Sequence, residues 1–545
     1  MAHRQPARAP LLAAALAMTL TLTSDPATAG AGDMPVPNRV VATSHGPVQG
    51  LIESGISAYK GIPYAAPPTG AARFKAPRAP VDRTGILDAI AYGASCMQMY
   101  DRGIATDLSL QLATVFTTLS EMKSDNEDCL FLNVWTPAPD ERARPVMVWF
   151  HGGGWNYGSG AWPVYDGTNL ARRGDVVVVT VNHRLNVFGY LDLSAHDGDA
   201  YRDSANAGLL DMVMALEWVR DNAAAFGGDP DNVTIMGESG GGSKVSHLLA
   251  TPAAKGLFHK AVIQSGPALT AIERDAAREV ADAVVTELGL GDAPLEALRT
   301  LPAQTILDAA STVADRVTAA GARRALAPVI DDRVLPAHPF TPAAPAQSRD
   351  VPILIGWNKD EFTIFNAGAP WFGTLTKAQM MTRLTGMVGA RATALAAAYE
   401  AAHPDYSPTY LFNMILGDMR MFLGSVTLAE RKAAQGGAPV FMYYLTWETP
   451  VGNGVFKTPH TLDMPMMFAN VDRSLGLTGD STEARLLEAQ MSSSWIAFAR
   501  TGDPSNDTVP AWPAYDGDDR ATMQFDVTPR LVNAPKQALL ERLRD

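Results

Sequence analysis

Cysteine is nearly absent: Cys96 and Cys129 are the only two in 545 residues, which excludes a disulfide-rich scaffold and a cysteine-built metal centre. Basic residues are outnumbered, with 44 Lys and Arg against 57 Asp and Glu, and the formal charge of -13 argues against nucleic acid as a partner. Beyond the first 29 residues no apolar run approaches the ~20 residues that span a bilayer. No His/Cys cluster has metal-ligand spacing, so neither a metal nor an organic cofactor is expected. The length suggests roughly three or four domains of ~150 residues. Yet there is no repeat, charge block or long Pro/Ser-rich linker to divide them, and residues 30–545 read as one domain with insertions.

What is present describes a soluble globular protein, 47% hydrophobic and 19% charged. Arg4 and Arg8 precede an apolar stretch over 11–22, and Ala27-Thr28-Ala29 offers small residues for cleavage. Residues 1–29 therefore read as a secretory signal peptide cleaved near Ala29, which predicts a secreted or periplasmic protein; the alternative is an uncleaved anchor. An oxidising compartment lets Cys96 and Cys129 pair, although their spacing alone fits two buried thiols equally well.

The chain predicts a hairpin over 40–52, turning at Gly46-Pro47, and then apolar runs at 146–150 and 176–181 that show no polar alternation. Such runs are strands buried on both faces, which implies helices on each side of a sheet. Helical periodicity follows at 209–225, and further strands are read at Lys260–Gln264, 353–356 and Val440–Leu445. This alternation predicts an α/β architecture with a mostly parallel sheet.

The segment Gly237-Glu238-Ser239-Gly240-Gly241-Gly242 follows the β-branched run 232–236 and precedes a helical stretch. Strand, Gly-x-Ser-x-Gly turn and helix make a nucleophile elbow, in which a strained turn presents the serine hydroxyl. A serine needs an adjacent base oriented by a carboxylate. In α/β-hydrolases the order is Ser, then Asp or Glu, then His, which leaves His403 and His460 as candidates. His460, in a loop after the Val440–Leu445 strand, is favoured over His403, which lies at a helix end. After the 353–356 strand either Asp360 or Glu361 can supply the carboxylate, and spacing does not choose between them. Phe150-His151-Gly152-Gly153-Gly154-Trp155 follows a buried strand and matches the oxyanion loop of lipases and esterases, completed by the amide of Gly240.

The chain resembles the type-B carboxylesterase family, which includes cholinesterases and bacterial para-nitrobenzyl esterases. The similarity runs from Tyr59-Lys60-Gly61-Ile62-Pro63-Tyr64-Ala65 to Trp495-Ile496-Ala497-Phe498-Ala499-Arg500-Thr501-Gly502. Between them lie Glu127-Asp128-Cys129-Leu130-Phe131-Leu132-Asn133-Val134-Trp135 and Asn358-Lys359-Asp360-Glu361. The resemblance implies the α/β-hydrolase fold, with Glu361 as the acid beside Ser239 and His460, and pairing of Cys96 with Cys129 around a loop that borders the active-site gorge in relatives. It also implies oxyanion donors at Gly153, Gly154 and Gly240 and supporting roles for Ser265 and Asp463. Trp155, directly after the glycine loop, reads as lining the substrate pocket, with a packing role as the equal alternative. Gly240 departs from the alanine common in relatives. The expected function is a serine carboxylesterase acting on small-molecule esters as monomer or homodimer. The alternatives are a lipase or another acyl hydrolase on the same residues, or an inactive binding protein of the same fold. No motif in 270–345 reveals the natural ester.

Overall fold

A computed structural model describes residues 35–99, 123–196, 198–291, 294–319 and 325–545, so the segment read as a signal peptide lies outside the described residues. Each apolar run becomes a strand of one large sheet. Its parallel centre runs in space through Val177–Val181, Arg144–Phe150, Gly228–Glu238, Lys260–Gln264, Ile353–Asn358, Val440–Leu445 and Ala521–Phe525. Antiparallel strands Phe131–Thr136, Ile56–Pro63, Gly46–Glu53 and Val36–Thr43 extend one side, and Arg530–Asn533 closes the other. Pro35–Asp545 packs as one unit.

The lack of polar alternation in these strands has a direct cause. Successive side chains of a strand point to opposite faces, and here both faces are dry. Val146, Val148 and Phe150 join one buried cluster, while Met147 and Trp149 join another. Ile353 and Ile355 divide from Leu354 in the same way. Helices Ala207–Asn222 and Gly240–Leu248 supply Leu209, Leu216 and Leu248 to the first cluster, and Thr482–Thr501 supplies Leu487, Trp495 and Phe498 to the second.

The N-terminal hairpin forms but turns two residues early. Thr43 pairs with Gly46, so Ser44-His45 is the turn and Gly46-Pro47 already belongs to the second strand. A distant contact sets this register: Asn222, at the end of the Ala207–Asn222 helix, accepts the Ser44 amide at 2.7 Å and donates to the Ser44 hydroxyl at 3.1 Å.

Parallel registry places the functional loops. Gly237 pairs with Phe150 and Ile263, and Gln264 pairs with Glu238 and Gly356. The chain thus leaves several adjacent strands at one level, at their carboxyl ends, where ligands bind in open α/β sheets. The loop after Val177–Val181 is held there by Arg184, whose guanidinium donates to both oxygens of Asp211 at 2.8 and 2.6 Å with both side chains buried.

The elbow itself depends on backbone contact. A methyl on Gly237 would lie 2.3 Å from the Gly241 carbonyl carbon, and one on Gly241 would lie 2.1 Å from the Phe150 oxygen. Gly237→Ala is therefore expected to lose about 1 to 3 kcal/mol of stability, the usual cost of overpacking. Urea unfolding of the variant against wild type measures this, and an unchanged midpoint would contradict the tight contact.

Candidate active site

Ser239 sits between the Gly228–Glu238 strand and the Gly240–Leu248 helix with φ 56° and ψ -120°. A non-glycine residue at positive φ is costly and is retained where surrounding structure enforces it. Two bonds do so: the Ser239 amide donates to the Gln264 carbonyl at 2.8 Å, and its carbonyl accepts from the Ser243 amide at 3.1 Å. The residues on either side are buried, whereas Ser239 keeps partial exposure. The turn turns the serine toward solvent at the strand ends.

Glu361 follows the Ile353–Asn358 strand and meets His460, its Oε2 lying 2.5 Å from Nδ1. Its other oxygen accepts the Ser265 hydroxyl at 2.7 Å and the Asn358 amide at 2.7 Å. A carboxylate satisfied at both oxygens cannot rotate away from the imidazole. With Nδ1 donating to Glu361, Nε2 is the acceptor, and this buried atom makes no hydrogen bond. A buried unsatisfied nitrogen calls for an explanation, and loose catalytic hydrogen bonds are common before substrate arrives.

The two open choices left by the sequence are separated by this geometry. Asp360 faces away, accepting from the Thr458 amide at 3.3 Å and lying 3.7 Å from Lys359 Nζ. His403 caps the Ala392–Ala402 helix and packs beside Tyr406, with ring centroids 5.4 Å apart. Asp463 is buried near His460 and accepts from Tyr443 at 2.6 Å and Gln264 at 2.8 Å. Burial raises its carboxyl.

Sequence reasoning missed Glu238. Its Oε1 lies 3.1 Å from His460 Nε2, and the side chain is 1% exposed. Burial pushes its carboxyl up to about 8, against the pull of His460. Burial alone would lower His460, but the carboxylates of Glu238 and Glu361 outweigh it and raise the imidazole above its ordinary range. Glu238 and Glu361 thus hold the proton on His460 to higher pH, while burial holds the proton on Glu238. The available signal was a carboxylate closing the buried end of its strand, directly after Val233-Thr234-Ile235-Met236-Gly237.

The glycine loop after Arg144–Phe150 lies against the elbow. Gly153 and Gly154 have φ of 81° and 61°. A methyl on Gly240 would sit 2.3 Å from the Gly154 oxygen and 2.5 Å from its nitrogen, so an alanine there requires the loop to move. Gly153, Gly154 and Gly240 are thereby brought together beside Ser239. Trp155 is 2% exposed and packs edge-on to Tyr190 and His247, with centroids 5.0 and 5.2 Å away, so its ring is packing beneath the loop rather than an exposed pocket wall. Phe365 occupies the open side: it is 54% exposed, with its ring 5.1 Å from that of His460. It lies in the short helix Thr363–Asn366, which begins two residues after Glu361.

Cys96 and Cys129 form a disulfide. Residues 100–122 of the loop it encloses lie outside the described residues. Among the described residues no group of three or more His, Cys, Asp or Glu is placed to hold a metal, and no helix is long and apolar enough to cross a membrane.

Comparison with known proteins gives the family. The carboxylesterase family model matches residues 37–541. The chain is 37% identical over 511 residues to the para-nitrobenzyl esterase of Bacillus subtilis (strain 168), covering 93% of this chain and 98% of that protein. It is 36% identical over 493 residues to the phenmedipham hydrolase of Pseudarthrobacter oxydans, covering 89% and 94%. Among solved structures, a carboxylesterase of Geobacillus stearothermophilus aligns with a TM-score of 0.79 at 36% identity, over 93% of this chain and 100% of that one. An esterase of Clostridium hathewayi, described as hydrolysing aliphatic aromatic polyesters, aligns with a TM-score of 0.79 at 34% identity over 94% and 99%. With a likeness that extends over nearly the full length of each relative, the chain belongs to the carboxylesterase family, has the α/β-hydrolase fold and is a carboxylic-ester hydrolase.

Proposed function

We propose that Ser239 is the nucleophile, His460 the general base and Glu361 the carboxylate that orients it, with the amides of Gly153, Gly154 and Gly240 as oxyanion donors. The observation that carries this reading is the 2.5 Å contact of Glu361 with His460 Nδ1, which leaves Nε2 as the ring nitrogen at the elbow, 3.1 Å from Glu238 Oε1. As Ser239 Oγ attacks the ester carbonyl, its proton passes to Nε2 and the carbonyl oxygen gains charge facing the glycine amides. His460 then returns the proton to the leaving alcohol. Water repeats the sequence on the acyl-enzyme, and Ser239 is released. Ser265 and Asn358 hold Glu361, and Asp463 packs behind the base.

Small esters with an apolar or aromatic group fit the site best. Phe365 supports this, since it offers an exposed ring beside the base, and so does similarity to proteins named for para-nitrobenzyl and phenmedipham hydrolysis. The protein acts as a single catalytic domain after export, a reading supported by the Cys96–Cys129 disulfide and by the charge and apolar pattern of residues 1–29.

Three outcomes test these assignments. Ser239→Ala is expected to lower kcat on para-nitrophenyl acetate by at least about 10⁴-fold in a folded protein; activity near wild type would remove Ser239 from the mechanism. Because His460 must be neutral to accept a proton, its raised pKa places the acid limb of kcat/KM above the ordinary imidazole range. Glu238→Gln removes a charge that holds the proton on His460, so the limb should move to lower pH, and an unmoved limb argues against the coupling. Intact-mass analysis of the exported protein should find a chain beginning at Gly30; one that retains Met1 refutes cleavage.

A further inference from the structure

Lys244 is the one lysine or arginine in the nine-residue helix Gly240–Leu248, and it is fully buried. Lysine is almost never fully buried unless its charge is met. Here the ammonium is directed at the underside of the glycine loop. Nζ donates to the His151 carbonyl at 2.7 Å and lies 3.4 Å from the Gly152 carbonyl, and it sits 5.5 Å above the Trp155 ring. His151 Nδ1 donates to the same Gly152 oxygen at 2.9 Å. His151 and His183 stack with centroids 4.7 Å apart, and burial, reinforced by the Lys244 charge, holds both imidazoles far below their ordinary range. Both rings are therefore neutral beside the ammonium.

Peptide geometry carries this contact to the other side of the loop. In a trans peptide the C=O and the following N–H point in opposite directions. The His151 carbonyl shares its peptide with the Gly152 amide, and the Gly152 carbonyl shares its peptide with the Gly153 amide. Drawing both carbonyls down toward Lys244 turns the two amides upward, and a cation on the oxygen makes the N–H a stronger donor. Three consecutive glycines have no side chains to hold such an orientation themselves.

We propose that Lys244 is a positioning residue for ester hydrolysis: it clamps the peptide groups of His151 and Gly152 from beneath and so orients and polarises the Gly153 amide toward the oxyanion. The inference rests on Gly153, Gly154 and Gly240 serving as the oxyanion donors. A lysine that merely filled the core would contribute to stability and leave the chemistry unchanged.

The test uses full-length mature enzyme, para-nitrophenyl acetate and an alkyl trifluoromethyl ketone. Ser239 Oγ adds to the ketone carbonyl to give a hemiketal oxyanion while its proton moves to His460, so ketone affinity reports the oxyanion site directly. Lys244→Met keeps length without donors, and Lys244→Gln keeps a donor without charge. Removing one oxyanion donor outright typically costs 10²- to 10³-fold in kcat, so loss of the clamp is expected to lower kcat about 10- to 100-fold per titrated active site. KM should stay within about 2-fold, ketone affinity should fall in proportion to kcat, and Lys244→Gln should lie between Lys244→Met and wild type. Lys244→Gln carries the test should Lys244→Met not fold. A folded variant with unchanged kcat, or with lowered kcat and unchanged ketone affinity, overturns the role of the lysine alone. A wild-type enzyme that the ketone fails to inhibit overturns the oxyanion site and the lysine's role with it, and Ser239→Ala with full activity overturns the nucleophile.

Discussion

Close approach of bare backbone around Ser239 is the constraint on which the site depends. The elbow strand, the helix after it and the oxyanion loop meet without side chains between them: Gly237 against Gly241, Gly241 against Phe150, and Gly240 against Gly154. None of these contacts buries much apolar area. They are made possible by the parallel sheet beneath, whose two dry faces supply the hydrophobic stabilisation. That stabilisation offsets the positive φ of Ser239, and the strained turn is what presents the hydroxyl.

Charge is managed differently on the two sides of this turn. On one side Glu361 is bonded at both oxygens, and Glu238 lies close to Nε2 with a raised carboxyl. On the other, Lys244 lies under the loop beside two imidazoles that burial keeps neutral. Carboxyl groups thus surround the imidazole, and the buried lysine lies below the glycine loop proposed to hold the oxyanion. In a water-excluded setting such fixed charges act more strongly than they would in solvent.

Much of this was legible in the sequence, and what was not has identifiable causes. Lys260–Gln264 and Val440–Leu445 are strands with the bounds the sequence suggests, because their centres are apolar on both faces. The elbow and the glycine loop were readable because their chemistry is written in consecutive residues. Spacing did not choose between Asp360 and Glu361, since two adjacent carboxylates differ only in where a turn points them, and only the family resemblance favoured Glu361. Glu238 and Lys244 stayed hidden for a related reason: a charged residue in sequence reads as surface, and only the packed structure shows that these two are enclosed. The hairpin turn was misplaced by two residues, and the contact that holds it comes from Asn222, about 180 residues away along the chain.

Gly240 has a consequence for how this family can be recombined. Because the backbone of Gly154 occupies the volume that a methyl at 240 would need, the loop and the elbow are shaped to one another although some eighty residues separate them. They form a single module with two addresses in the gene. An elbow borrowed from a relative that carries alanine brings a demand on the loop, and a crossover placed between the two segments would divide two pieces of backbone that fit one another.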